Sequence, residues 1–249
     1  MPLMVDIPFK PPENVVPVVN WGSIMHGMLL DKIGTMLGSS FHNEGLKPFS
    51  QYIIPKKEGE STWRISILDE DLEDMFLEFL ESKCHGRWLL KQKGFHIEIG
   101  NFNIVKKESY KNIADRAFLS DGVEKRHKMT FKTITSFKKD GEYVIMPTTD
   151  LIIKSLFQRW DRFSKDLVLN DTNVRDQLVS NCRIGSYELR SRVFELEGIR
   201  ITGFCGNMTI GFKGPDPLLR IADMLLSYSC YSGIGIKTAL GMGGVMINE

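Results

Sequence analysis

The chain has 249 residues, 42% of them hydrophobic and 25% charged, and its formal net charge is +1. That length holds one large domain or two of about 100–150 residues, and the even composition, with no low-complexity tract, excludes fibrous and disordered classes. No apolar run approaches the roughly 18–20 residues of a membrane span, no basic-then-apolar leader is expected at the first residues, and near-neutral charge does not by itself point to nucleic acid.

Four cysteines, Cys84, Cys182, Cys205 and Cys230, stand far apart with no C-x-x-C pair. This spacing argues against a zinc site and a disulfide framework. Buried free thiols in a reducing cytoplasm are expected, with no metal and no cofactor.

In chain order, residues 3–9 predict a strand closed by Pro11 and Pro12. Residues 21–37 predict a helix, because Ile24, Met28, Leu29, Ile33, Met36 and Leu37 recur at three-to-four spacing. Residues 49–55 and 62–68 predict strands, and 69–82 a helix whose acidic start suits the positive end of its dipole. Further strands follow over 89–104, where Phe95, Ile97 and Ile99 alternate. The second half repeats this order. It predicts a strand over 129–136, a helix over 150–164, strands over 187–196 and 199–212, a helix over 215–229 and a last strand over 244–247. One β-α-β-β-α-β pattern read twice predicts an α+β protein of tandem ferredoxin-like (RRM-like) domains. The expected division is residues 1–108, a connector over 109–128, and 129–249.

Charge is unevenly spread. Between Lys125 and Lys139 stand six Lys/Arg residues and His127, with no acid. Near the end, Gly233, Gly235, Gly241, Gly243 and Gly244 fall within twelve residues. Glycine is favoured where φ must be positive or where another group approaches the backbone closely, and N–H groups in such loops can cradle phosphate oxygens. A P-loop is excluded, because Ile236 rather than glycine precedes Lys237-Thr238. A dinucleotide fingerprint is excluded too: Thr238 stands where its third glycine belongs, and a strand rather than a helix follows.

The glycine segment has a more specific likeness. Gly233-Ile234-Gly235, five residues including Lys237-Thr238, then Gly241-Met242-Gly243 resemble the carboxy-terminal signature of the CRISPR-associated repeat-processing endoribonucleases of the RAMP superfamily. The run from Phe131 to Phe137, Leu156-Phe157-Gln158-Arg159-Trp160 and Gly203-Phe204-Cys205-Gly206 are similar to further segments of that family in the same order. The resemblance implies metal-independent cleavage of CRISPR precursor RNA within its repeats. In that reaction the ribose 2′-hydroxyl attacks phosphorus and leaves a 2′,3′-cyclic phosphate and a 5′-hydroxyl. The protein must align those atoms, move two protons and stabilise the phosphorane.

Phe41-His42-Asn43-Glu44-Gly45 followed by Pro48-Phe49-Ser50 resembles the family's catalytic-histidine segment, which implies His42 as general acid or base. The family often carries a tyrosine on the first helix; here His26 stands near that place, either as a second proton-transfer group or as a satisfied core histidine. Lys47 is read either as a phosphorane-neutralising cation or as a solvated surface lysine. For RNA binding the expected set is Gly233, Gly235, Lys237, Thr238, Gly241 and Gly243, with Lys125, Arg126, Lys128, Arg159, Arg162, Arg190 and Arg192 as further contacts. Expected partners are repeat RNA and other Cas proteins, with no membrane, in a monomer or homodimer. Two other readings stay open: a non-catalytic RAMP subunit that holds RNA, and a ferredoxin-like enzyme that binds a small phosphorylated ligand.

Overall fold

The structure, a computed structural model, describes residues 1–33, 45–196 and 198–248. The first strand, β1 (Leu3–Lys10), is followed by α1 (Trp21–Ile33), β2 (Phe49–Ile54), β3 (Ser61–Ile67), α2 (Glu73–Lys83), β4 (Gly86–Leu90), β5 (Phe95–Ile99) and β6 (Asn103–Lys107). These strands form one sheet in the order β2-β3-β1-β5-β4, with β6 also paired to β1. Leu3, Val5, Ile7 and Phe9 alternate along β1 with full burial, and α1 and α2 cover them with Trp21, Met25, Leu29, Phe76 and Phe79. The position beside β1 that one last strand fills in a simple ferredoxin-like unit is shared by β5 at one end and β6 at the other.

The connector is more structured than expected. Ser109 caps α3 (Tyr110–Phe118), and Tyr110, Ile113 and Ala117 pack into the core of the second unit. That unit contains β7 (Arg126–Thr135), the small hairpin β8 (Phe137–Lys139) and β9 (Glu142–Val144), α4 (Thr149–Phe163), α5 (Thr172–Asn181), β10 (Cys182–Leu196), β11 (Ile199–Phe212), α6 (Asp216–Ser232) and β12 (Val245–Asn248). Its main sheet runs β10-β11-β7-β12, the ferredoxin-like order. Helix α4 starts at Thr148, whose hydroxyl accepts from the Leu151 N–H. It turns Ile152, Leu156 and Trp160 inward, and Trp160 meets Tyr110 and Tyr228 edge-on at 5.2 Å.

Strand β7 starts three residues before the expected 129. Two helices, α3 and α5, are absent from the sequence-based order, and β10 starts at Cys182 rather than 187. The expected helix over 21–37 is described as far as Ile33.

Candidate active-site cleft

The glycine loop is seated against the first unit. Gly22 and His26 are one turn apart on α1 and share a face. Gly22 lies so near Gly241 that a Cβ on it would come within 2.8 Å of the Gly241 Cα. Close backbone approach therefore explains that pair of glycines, and it brings His26 beside the loop. A Cβ on Gly244 would meet the Tyr52 ring at 2.7 Å. On β2, the buried Gln51 amide donates to the Gly22 carbonyl at 2.7 Å and the Ala239 carbonyl at 2.9 Å, and its Oε1 accepts from Trp63 Nε1 at 2.8 Å. The neighbouring Ser50 hydroxyl donates to the Tyr231 carbonyl. Helix α1, strand β2 and the loop are thus tied at one point.

The loop's own glycines are turn and packing residues. Gly233, Gly235, Gly241 and Gly243 have φ of 67°, 86°, 103° and 69°. Their N–H groups, expected to face phosphates, are used inside the protein. They donate to the Ser229 carbonyl, the Ser155 hydroxyl, the Thr238 carbonyl and the Ile134 carbonyl respectively. Among the described residues, the loop N–H groups without a protein acceptor are those of Lys237, Thr238 and Ala239, at the start of a single 3-10 turn. Thr238 is itself buried, its methyl group against Gly233 and Gly243.

A cleft of about 320 Å³ opens at this junction, lined by His26, Gly45, Leu46, Lys47, Arg159, Lys237, Thr238, Ala239 and Leu240. It brings together residues far apart in sequence: His26 and Lys47 from the first unit, Arg159, Lys237 and Thr238 from the second. His26 is half-buried and stacks on Phe49 at 5.6 Å. Lys237 takes a left-handed conformation, φ 54°, unusual for a residue with a side chain. Its carbonyl accepts from Leu240 and Met242 and so closes the loop. The described lining carries three basic side chains and no carboxylate. His42, the expected acid or base, lies outside the described residues; the chain enters the described part again at Gly45, in the cleft wall.

The expected arginine and lysine contacts differ in their placement. Arg159 is 3% exposed, so it is not the surface cation the sequence suggested; its Nη2 donates to the Gly235 carbonyl at 2.8 Å. Arg162, one turn on, is exposed and does not line the cleft. Arg126 and Lys128 project from β7 on the sheet face opposite the buried His127 and Met129. Lys128 aligns through Thr209 with Ser186, and Arg190 and Arg192 continue the same alternation along β10. Lys125, just before β7, is exposed as well. A second cleft of about 480 Å³ holds Arg126 and His127 with Lys106, Arg116, Asp223 and Cys230. Sequence reasoning missed Gln51 and Ser155. The first had a signal, an amide inside the apolar run Phe49-Ser50-Gln51-Tyr52-Ile53-Ile54; the second stands one helical turn before Arg159.

Residues 129–245 match the family model of the CRISPR-associated endoribonuclease Cas6. A CRISPR-associated endoribonuclease Cas6 of Streptococcus thermophilus is 29% identical over 228 residues, 90% of each chain. One from Mycobacterium tuberculosis is 24% identical over 92% of this chain and 72% of its own length. A solved Cas6 product complex superposes with a TM-score of 0.84 over all of both chains at 19% identity, which shows the shared fold. No described helix is long and apolar enough to cross a membrane. With the family model over its second unit and curated relatives over nine tenths of its length, the chain is similar to the CRISPR-associated endoribonucleases Cas6.

Proposed function

We propose that the chain is an endoribonuclease that cuts CRISPR precursor RNA within its repeats, without a metal ion, to release guide RNAs. The observation that carries this reading is the cleft lined by His26 and Lys47 of the first unit together with Lys237 of the second. A ribose 2′-hydroxyl supplies the nucleophile, so the protein needs an acid, a base and charge stabilisation. His42 and His26 serve as the proton-transfer pair. Lys47 and Lys237, with the N–H groups of Lys237, Thr238 and Ala239, stabilise the phosphorane. The products are a 2′,3′-cyclic phosphate and a 5′-hydroxyl. The exposed Arg126, Lys128, Arg190 and Arg192 hold the rest of the repeat through its phosphates. The enzyme works in the cytoplasm, as a monomer or homodimer, on repeat RNA and alongside other Cas proteins.

Cleavage of end-labelled repeat RNA in EDTA tests this, with His42→Ala, His26→Ala and a 2′-deoxy substitution at the scissile nucleotide. Wild type is expected to cut once and spare the deoxy substrate. His42→Ala is expected to bind but lose a hundredfold or more in rate, within the roughly 10²–10⁴ of acid–base catalysis. Tight binding with no cleavage by wild type would make the chain a holding subunit instead.

A further inference from the structure

Arg159 carries a buried charge for which the described residues supply no counter-charge. It is 3% exposed, Nη2 has one bond to the Gly235 carbonyl, and Nε has no acceptor among the described residues. Burial pushes its guanidinium down to about 10, with only the Tyr228 hydroxyl pulling the other way. It therefore stays charged at neutral pH. Taking a cation out of water is unfavourable by far more than one neutral hydrogen bond returns, so buried guanidinium groups normally meet a carboxylate.

Bracing the loop does not require this charge. Gly235 is clamped from one face of α4: its N–H donates to Ser155 Oγ at 2.9 Å, and its carbonyl accepts from Arg159 one turn later. A neutral donor would complete that clamp equally well. Arg159 also lines the cleft with Lys47 and Lys237, where the described lining has no acid. Among the described residues, none supplies an anion to Arg159.

We propose that Arg159 is the positioning residue of the cleft: it fixes Gly235, and its charge, which no described residue compensates, awaits an RNA phosphodiester bound between His26, Lys47 and Lys237. The inference rests on the proposed function for the identity of the anion. It adds that the free protein holds this charge at a loss of stability which the RNA repays.

The test uses the full chain with Arg159→Gln, which keeps a neutral donor, Arg159→Met, which keeps neither donor nor charge, and Arg159→Lys, which keeps the charge. Thermal midpoints are read alone, with inorganic phosphate, and with uncleavable 2′-deoxy repeat RNA. Affinity is followed against salt, and single-turnover cleavage is timed. Arg159→Gln is expected to melt at or above wild type when free. It should lose at least half of the RNA-dependent shift, lower the slope of log Kd against log salt by about one phosphate, and cut about tenfold or more slowly. Arg159→Lys should restore most of the shift.

A simple brace predicts the reverse: a lower midpoint for the free variants, with the RNA shift, salt slope and cleavage rate of the folded protein unchanged. Failure of both uncharged variants to fold would also overturn the proposal, because the free protein would then need the charge. Wild type that is stabilised by RNA but does not cut it removes the endonuclease reading and leaves the Arg159 comparison intact. Wild type that cuts as expected while Arg159→Gln matches it in every readout removes only the Arg159 proposal.

Discussion

Replacing Gln51 with methionine tests whether one buried amide holds the two halves of the cleft together. The side chain is 1% exposed and makes three bonds: to Gly22 in α1, to Ala239 in the loop, and from Trp63 in β3. Methionine has similar length and flexibility and no strong hydrogen-bonding group, so Gln51→Met removes the bonds without opening a large cavity. The Gly22 carbonyl keeps its place in the helical ladder, and losing Gln51 there costs about 1 kcal/mol. The Trp63 N–H and the Ala239 carbonyl are left buried and unpaired, at roughly 1–3 kcal/mol each. Better burial of the methionine offsets part of the sum, which leaves a loss of about 3–5 kcal/mol.

Against a total stability of roughly 5–15 kcal/mol this is a large fraction. In urea the midpoint should fall by about 1 M or more with an unchanged slope. Cleavage per folded molecule should fall too, because Gly22 stands one turn before His26 and Ala239 lines the opposite wall. A stability loss below about 1 kcal/mol would refute the reasoning, since it would mean that water or rotated neighbours replace all three bonds. Full stability loss with unchanged turnover would separate the clamp from the chemistry.

Burial holds the His127 imidazole below its usual range, and Asp223 pulls it the other way. The folded protein then binds fewer protons than the unfolded chain once pH falls through the unfolded value of about 6.5, so this residue lowers stability below that pH; His127→Gln should narrow the gap between urea midpoints at about pH 7.5 and 5.5, and an unchanged gap would refute it. Gly243→Ala forces a Cβ to within 2.1 Å of the Ile234 carbonyl at φ 69°, whereas Gly59→Ala at φ 80° meets nothing within 4 Å. Calorimetry should find about 3 kcal/mol or more lost at the first and roughly 1–2 at the second; equal losses would show that the backbone angle alone matters. Lys128→Ala should lower the salt slope of RNA binding by about one phosphate and leave the cleavage rate at saturating RNA unchanged.

The repeated element order was legible because strands such as β1 and β11 and helices such as α4 and α6 carry one clear apolar period each. The two missed helices lacked it in different ways. Helix α5 buries only Leu178, so its apolar face is too narrow to be read. Helix α3 is nine residues long and takes its stability from packing Tyr110 and Ile113 against α6, a contact between distant segments. The early part of β10 failed for a related reason: as a sheet edge it leaves Arg183, Ser186 and Tyr187 exposed and breaks alternation with a register shift between Ile184 and Ser186.

For the candidate cleft, the sequence marked the glycine loop but not what the loop packs against. Clustered glycines correctly mark positions where side chains do not fit, but the sequence does not distinguish a ligand approaching the backbone from another piece of the same protein doing so. At Gly241 the approaching group is Gly22, at Gly235 it is the Ser136 carbonyl, and at Gly243 the Ile234 carbonyl. Among the described residues, the loop N–H groups left without a protein acceptor are those of Lys237, Thr238 and Ala239, which no glycine marks. Arg159 shows the same ambiguity from the other side. An arginine on a helix reads as a surface cation, because burial depends on what the helix packs against, and here that partner lies 76 residues away at Gly235. Charge that looks available from sequence is enclosed in the fold, where it braces the loop through the Gly235 carbonyl.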